Sequence, residues 1–170
     1  TFFARAIDTQ SKQLQDVCMH MAAHDGAAVV EVLQNCVIFN DGTHKEVTDK
    51  EVRDDRQLWL EHGKPMIFGK NKDKGIVLRG TKLEVVTIGE NGITEKDILV
   101  HDETTENTGI HMMLAQMRPP EFPMAFGVIR AYKQPTYNQL FEKQMQEAQE
   151  NAKIKCVDDL LNSGETWEVK

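Results

Sequence analysis

The stretch that decides the fold is "AAVVEVL" at residues 27–33, which continues into "QNCVIFNDG" at residues 34–42. The first part is rich in β-branched residues and almost entirely apolar, which predicts a strand covered on both faces, as in a parallel sheet. The second part ends in a strong turn signal, "NDG". A single cysteine, Cys36, stands between the strand and the turn, so we expect its thiol at the mouth of the strand.

A helix and a further strand are predicted upstream of this stretch. Residues 2–7 form a short apolar run that is typical of a strand. We expect a polar side chain among Asp8, Thr9 and Ser11 to cap the next helix. The buried face of that helix is predicted from four residues at helical spacing: Leu14, Val17, Cys18 and Met21. Strand, helix and strand make a right-handed βαβ unit, and ligands in such sheets gather at the carboxyl ends of the strands, where Cys36 lies.

Shorter elements are predicted downstream. A capping-box pattern from Thr48 to Glu51 predicts a short helix, and "MIFG" and "GIVLRGTKLEVVTIG" predict brief strands joined by glycine turns. "ILVHD" is a further strand candidate, and "AFGVIRA" predicts an edge strand. A second capping box at Thr136 and Gln139 opens a long polar helix with a narrow apolar stripe. We therefore divide the chain into residues 1–60, 61–134 and 135–170.

Composition limits the functional classes. The chain has 170 residues, of which 40% are hydrophobic and 28% charged, which is typical of one folded domain. Its net charge of −7 disfavours a nucleic-acid partner, and no apolar run approaches the roughly 20 residues that span a bilayer. Three widely spaced cysteines indicate a reducing compartment, so we expect a cytoplasmic protein without a membrane partner.

From the residues alone, the chemistry of Cys36 stays open. It can be a small apolar filler, a metal ligand that needs partners from elsewhere, or a nucleophile that needs a base such as His44. His20 and His24 are spaced to share one helical face, but two imidazoles without a third ligand make a weak metal site. The glycine-containing turns match no phosphate-binding pattern.

The chain nevertheless resembles a known family over nearly its whole length. The segments "TFFARAIDT", "VVEVLQNCVIFNDG", "LWLEHGKPMIFG", "RPPEFPMAFGVIRA", "PTYNQLFEKQ" and "GETWEV" are similar to the C-terminal part of the β subunit of 2-oxoacid:ferredoxin oxidoreductases, in particular 2-oxoglutarate:ferredoxin oxidoreductase. The pattern Q-N-C-x-I-F-N-D-G is the most specific of these matches. The resemblance implies an α/β fold, with residues 1–60 as part of a thiamine-diphosphate-binding-type domain with a partial parallel sheet. Residues 61–134 would be a C-terminal extension of short strands and a helix, and residues 135–170 a polar helical arm.

The resemblance also implies a function. Enzymes of this family decarboxylate a 2-oxoacid on thiamine diphosphate and Mg²⁺, pass electrons through a [4Fe–4S] cluster to ferredoxin, and release an acyl-coenzyme A. The family's cysteine at the end of this strand is a ligand of that cluster, which implies the same metal-ligand role for Cys36. Implied partners are the rest of the β subunit, the α subunit, ferredoxin, 2-oxoglutarate and coenzyme A. We expect the neighbouring amides, including that of Asn35, to hydrogen-bond the sulfur atoms.

The chain departs from the family pattern in one large respect. The C-x-x-C pair, the third cysteine and the G-D-G-D segment that holds Mg²⁺ and the diphosphate do not occur in it. We therefore expect a fragment that lacks the N-terminal part of the subunit, contains no catalytic residues, holds none of the cofactors by itself and is inactive alone. The alternative is a non-catalytic subunit-interaction module, suggested by the thin apolar stripe on the long polar helix.

Overall fold

The structure is a computed structural model that describes residues 1–165, 167 and 169. The chain divides into two compact units, Thr1–Gln134 and Pro135–Lys170. The strands of the first unit are β1 (Phe2–Ile7), β2 (Ala28–Leu33), β3 (Gln57–Leu60), β4 (Ile67–Phe68), β5 (Lys74–Arg79), β6 (Lys82–Thr87) and β7 (Met124–Ala131). Its helices are α1 (Ser11–Ala22), α2 (Lys45–Thr48), α3 (Arg53–Arg56) and α4 (Gly109–Gln116), with a 3₁₀ turn at Glu95–Asp97.

The main sheet has four strands in the order β2-β1-β7-β3. β1 pairs parallel with β2, β3 pairs parallel with β7, and the two parallel pairs join through an antiparallel contact between β1 and β7. The predicted βαβ unit is present as β1, α1 and β2. The predicted α/β class is therefore confirmed, with a mixed main sheet that contains two parallel pairs.

One glycine determines how closely β7 approaches β3. Gly127 has φ +91°, and a Cβ atom there would lie 2.8 Å from the backbone oxygen of Leu60. Side chains rarely adopt this φ and none fits this space, so the position requires glycine. The register between β1 and β7 also shifts here, because Ala4 pairs with Val128 while Phe3 pairs with Arg130. This irregularity is a β-bulge beside the close approach.

The first unit also contains a second, antiparallel sheet, formed by β4, β5 and β6. The largest core cluster joins it to the main sheet and to α4: its fully buried members include Leu58 of β3, Ile76 of β5, Leu114 of α4 and Ile129 of β7. This cluster contains residues from both sides of position 60, where the division predicted from the sequence places a boundary between residues 1–60 and 61–134. The division into 1–60, 61–134 and 135–170 stays a prediction.

Arg5 is buried in the middle of β1, with 2% of its surface exposed. Its Nε–H donates to Glu31 at 2.7 Å, and its two terminal amino groups donate to the backbone oxygens of Ala125 and Ala115 at 3.2 and 3.0 Å. A buried cation is tolerated only where its donors are satisfied in this way. The guanidinium thus ties β1 to β2, β7 and the end of α4.

Two strand environments differ from the predictions. β2 was expected to be covered on both faces, but it is the edge strand of the main sheet, and Val29 and Val32 are exposed. "AFGVIRA" was expected at an edge, but β7 lies between β1 and β3 and its first six residues are buried. Both expectations were wrong because the order of strands depends on pairing between distant segments, which composition does not encode.

Several local predictions were also wrong. The N-cap of α1 is Gln10, which makes no side-chain capping bond, and Cys18 on this helix is exposed. Thr48 ends α2 and does not open a helix. "ILVHD" forms no named strand, although Val100 makes an isolated bridge with Pro65.

The second unit contains two helices, α5 (Tyr137–Glu150) and α6 (Val157–Leu161). The predicted capping box of α5 is confirmed: Gln139 N–H donates to the Thr136 hydroxyl at 3.2 Å, and Thr136 N–H donates to the Gln139 side chain at 2.8 Å. Its apolar residues Leu140, Phe141 and Met145 are exposed. Thr166, Glu168 and Lys170 of the predicted tail lie outside the described residues.

Within the part of the chain that the structure describes, no helix has the length and apolar character needed to cross a membrane.

Candidate functional site

The segment that follows β2 carries the candidate thiol. β2 ends at Leu33, and Cys36 lies three residues later on the exposed surface. Its location past the carboxyl end of a strand agrees with the sequence analysis. The strand itself is an edge strand of the described sheet, so the expectation that Cys36 would follow a strand covered on both faces was wrong.

The backbone at Cys36 folds into a tight turn. Asn40 N–H donates to the carbonyl oxygen of Cys36 at 3.0 Å, and the two residues form an isolated antiparallel bridge. The backbone N–H groups of Phe39 and Ile38, and more weakly of Asn40, lower the pKa of the Cys36 thiol, against a smaller opposing effect of desolvation. Hydrogen-bond donors that face a sulfur atom favour its thiolate, the form that binds metals and reacts with electrophiles.

A side-chain clamp closes the base of this turn. Asn35 Nδ2 donates to the Asp41 carboxylate at 2.9 Å, and Asn35 Oδ1 accepts the backbone N–H of Gly42 at 2.8 Å. We expected the Asn35 amide to hydrogen-bond the sulfur, but its nitrogen and its oxygen both form hydrogen bonds across the turn instead. We call residues Asn35 to Gly42 the thiol loop.

The tip of the thiol loop is apolar and exposed. Val37, Ile38 and Phe39 have 73%, 82% and 90% of their surface accessible. Three consecutive apolar side chains at such exposure are unusual on a protein surface, where apolar residues more often stand singly. The tip therefore makes little contact with the rest of its own unit.

A small cavity lies between the thiol loop and the carboxyl end of β1. Its volume is about 190 Å³, and it is lined by Asp8, Thr9, Leu33, Asn35, Gly42, His44, Lys45, Thr48 and Asp49. Its location fits the rule that ligands in βαβ units gather at the carboxyl ends of parallel strands. His44 lines this cavity and Cys36 does not, so nothing in the geometry supports a Cys36–His44 catalytic pair.

The structure does not bring the other sequence candidates together. His20 Nδ1 lies 2.9 Å from the backbone oxygen of Asp16, while His24 Nε2 lies 2.7 Å from the Thr1 hydroxyl. Among the described residues, no group of three or more His, Cys, Asp or Glu side chains is arranged to hold a metal ion.

Sequence reasoning missed a cluster of histidines between the start of α4 and the end of β7. His101 is buried, and its Nε2–H donates to the Val128 carbonyl at 2.8 Å, while its Nδ1 has no hydrogen-bond partner among the residues that the structure describes. The ring of His111 packs edge-on against it with 6.3 Å between centroids, and Arg130 donates to His111 Nδ1 at 3.0 Å. Desolvation, followed by the nearby charges of His111 and His62, lowers the pKa of His101.

No local signal in the sequence marks these histidines as a cluster. His101, His111 and Arg130 are separated along the chain and meet only because α4 packs against β7. Their hydrogen bonds run mainly to backbone oxygens, which is the pattern of a structural network and not of a metal centre.

Comparison with known proteins supports the family resemblance. The chain is 33% identical over 172 aligned residues to the 2-oxoglutarate oxidoreductase subunit KorB of Mycobacterium tuberculosis. The alignment covers 99% of this chain and 45% of that protein, so the chain spans less than half the length of the curated relative it matches. No protein-family model matches the chain, and no solved structure matches it significantly. The resemblance predicted from the segments around Cys36 is thereby confirmed, and the coverage is consistent with a C-terminal part of such a subunit.

Proposed function

We propose that the chain is part of the β subunit of a 2-oxoacid:ferredoxin oxidoreductase, with 2-oxoglutarate as the substrate. The similarity to the mycobacterial 2-oxoglutarate oxidoreductase subunit carries this proposal, because it extends over 99% of the chain. In this role the chain works with the rest of the β subunit, the α subunit, ferredoxin and coenzyme A, in the cytoplasm.

Within that enzyme, Cys36 is proposed as one cysteine ligand of a [4Fe–4S] cluster. Such a cluster is held by four cysteine thiolates, and the Cys36 thiol is suited to supply one of them because it is exposed and faces N–H donors that favour the thiolate. Cys18 lies on α1 and Cys156 caps α6 in the other unit, so neither is proposed as a further ligand. The remaining ligands would come from the rest of the enzyme.

The chemistry divides between the cofactors and this chain. Thiamine diphosphate with Mg²⁺ supplies the decarboxylation and the cluster supplies electron transfer when they are bound. The described residues contribute a fixed sulfur position: the turn at residues 36–40 orients the thiol, and the backbone N–H groups beside it stabilise negative charge on the sulfur. The apolar side chains at the tip of the thiol loop exclude water from one side of the sulfur once a neighbouring surface covers them.

The test of this function is the replacement of Cys36 by serine in the assembled oxidoreductase that carries this sequence. We expect loss of cluster iron, loss of the iron–sulfur EPR signal and loss of 2-oxoglutarate-dependent ferredoxin reduction. Cys18→Ser is the matched control, since it removes another exposed thiol from the same unit.

Circular dichroism and thermal unfolding of both variants separate loss of the cluster from loss of the fold. Iron content and ferredoxin reduction that remain at the level of Cys18→Ser would contradict the ligand role of Cys36. The isolated 170-residue chain is expected to show no decarboxylation of 2-oxoglutarate, and measurable turnover by it would contradict the proposal that this chain has an incomplete active site.

A second candidate function is a non-catalytic subunit-interaction module. The exposed apolar stripe of α5, formed by Leu140, Phe141 and Met145, favours it, because such a stripe is stabilised when another surface covers it. Sedimentation of the chain with and without the purified α subunit tests this module: a stable complex would favour it. The Cys36→Ser experiment on the assembled oxidoreductase tests the cluster role separately.

A further inference from the structure

The thiol loop is held in place by polar contacts within the loop and not by packing of its tip. Its tip residues Val37, Ile38 and Phe39 are the most exposed apolar side chains of the first unit among the residues that the structure describes, so they do not anchor the loop by packing. What fixes the loop is polar: the Asn40 to Cys36 backbone bond inside the turn and the Asn35 clamp at its base.

The clamp uses both ends of one carboxamide. The donor end of Asn35 holds the Asp41 carboxylate at 2.9 Å, and the acceptor end holds the Gly42 N–H at 2.8 Å. A side chain that bonds groups six and seven residues away joins the two ends of the loop, whereas the usual asparagine turn bonds its own backbone two residues on. The contacts of Asn35 therefore close the whole segment that carries Cys36.

The backbone at the far end of the clamp requires a glycine. Gly42 has φ +78°, a left-handed conformation that side chains rarely adopt. A Cβ atom at this position would also lie 2.8 Å from Cε of Lys45. The Gly42 N–H donates to Asn35 from this left-handed position, so the clamp joins the Asn35 amide to a residue that favours glycine.

We propose that Asn35 is a positioning residue that keeps the thiol loop closed, so that the sulfur of Cys36 holds one orientation toward the iron–sulfur cluster. This inference rests on the proposed function, and it concerns a residue whose side-chain hydrogen bonds go to Asp41 and Gly42 and not to the sulfur. A metal site depends on such supporting contacts, since they orient the ligand and limit its motion.

The first measurement is made on the chain itself. Asn35→Ala removes both hydrogen bonds, and we expect faster amide hydrogen exchange at Gly42 and across residues 36–41. Asn35→Asp keeps an acceptor for Gly42 but places a second carboxylate beside Asp41. Combining Asn35→Asp with Asp41→Asn exchanges donor and acceptor across the clamp and should restore slow exchange at Gly42.

The second measurement is made on the assembled oxidoreductase. We expect Asn35→Ala to broaden or shift the EPR signal of the reduced cluster and to shift its reduction potential, and the exchanged double variant to return both toward the wild-type values. Gln34→Ala is the matched control, because Gln34 is the adjacent exposed amide and its side chain makes no hydrogen bond within the described part of the chain. This control should leave hydrogen exchange, EPR signal and potential unchanged.

The outcomes distinguish the positioning role of Asn35 from the ligand role of Cys36 on which it rests. An unchanged EPR signal and potential in Asn35→Ala, with or without faster exchange at Gly42, would overturn the positioning role while Cys36→Ser still loses its iron. Full iron content in Cys36→Ser would overturn the ligand assignment, and the positioning role would fall with it. A changed signal that the double variant does not restore would also overturn the clamp as its cause.

Discussion

β1 and β2 are neighbours in one parallel pair with similar sequences and opposite environments. β1 reads "FFARAI" and β2 reads "AVVEVL", so each is apolar with one charged residue, and the two charged residues pair directly as Arg5 and Glu31. β1 lies between β2 and β7 and is almost wholly buried, while β2 lies at the edge with Val29 and Val32 exposed. The comparison shows that a strand's position in the sheet, and not its composition, decides its burial.

The thiol loop is exposed because it follows this edge strand. It follows β2, so it emerges from the strand that has a neighbour on only one side. The segment that follows β1 instead runs into α1, which packs against both strands. The exposed edge strand β2 and the apolar thiol loop follow each other along the chain. Together they form the surface of the first unit best suited to contact another polypeptide, which agrees with the subunit role proposed above.

The largest effect is expected from truncating a buried side chain of β1. Ile7 is fully buried, and Ile7→Ala should lower the free energy of unfolding by about 2–5 kcal/mol, through lost burial and the cavity left behind. Val29→Thr on β2 keeps a β-branched side chain at an exposed position and should change it by no more than about 0.5 kcal/mol. Urea unfolding of the two variants measures the difference, and equal losses would contradict the edge position of β2.

A smaller effect is expected from the charged pair that crosses the two strands. Arg5→Ala removes the donor to the buried Ala125 carbonyl, and we expect a loss of about 1–3 kcal/mol in the free energy of unfolding. Glu31→Gln keeps an acceptor for Arg5 on the more exposed side, and should cost at most about 1 kcal/mol. The same unfolding experiment ranks them. A greater loss for Glu31→Gln would show that the exposed edge, and not the centre, depends on this pair.

The pH dependence of stability sharpens the comparison between buried and exposed groups. Burial holds the pKa of His101 below its ordinary value of 6.5, so the unfolded chain takes up a proton at a pH where the folded chain does not. The contribution of His101 to the free energy of unfolding is therefore complete above about pH 6.5. It is lost as the pH falls from there toward the lower pKa of His101 in the folded chain. The charged and titratable groups around His101 are His111, His62 and Asp102.

Replacing His101 by glutamine tests this expectation. The glutamine amide keeps a donor for the Val128 carbonyl but does not titrate, so the decline in Tm between about pH 6.5 and pH 5 should become shallower. His20→Gln removes an exposed imidazole from α1 and serves as the control. A decline that is the same in all three proteins would show that His101 does not cause it.

The smallest change in stability is expected at the thiol loop, where reactivity is the measurable property. The N–H groups of Phe39 and Ile38 lower the pKa of the Cys36 thiol, so its alkylation should reach half its maximal rate at a lower pH than that of an ordinary thiol. Iodoacetamide labelling followed by mass spectrometry resolves Cys36 from Cys18 and Cys156. A midpoint at or above the ordinary value would contradict the turn geometry at residues 36–40.

The two pKa shifts have opposite physical origins. At His101 desolvation disfavours the charged form, which is the cation, while at Cys36 hydrogen bonds favour the charged form, which is the thiolate. Both shifts are downward, but one reflects a buried site and the other an exposed one. Measuring both in the same protein therefore tests the contrast between a buried imidazole packed against β7 and an exposed thiol after the edge strand β2.

The local elements were predictable because their signals are local. The strand at residues 2–7, the helix after it and the capping box at Thr136 follow from periodicity and capping residues. The "NDG" turn likewise predicted where the chain turns after Cys36. β3 was missed, because "QLWL" is only four residues long and gives neither a clear alternation nor a flanking turn.

The candidate site was predictable only in part. The thiol and its place after a strand could be read from the sequence, and the resemblance supplied a role for it. The Asn35 clamp could not be read, because its partners, Asp41 and Gly42, come close only once the turn has formed. The cluster of His101, His111 and Arg130 could not be read either, since it depends on α4 packing against β7.

By itself, the sequence determined the first strand–helix–strand unit, the start of α5 and the place of the Cys36 thiol along the chain. The tertiary structure alone decided that β2 is an edge, that β7 is central and that Arg5 and His101 are buried. The physical reason is range: backbone propensity, capping and turn formation act between residues a few positions apart. Strand order and burial depend on which distant segments compete for the same hydrogen bonds and the same core.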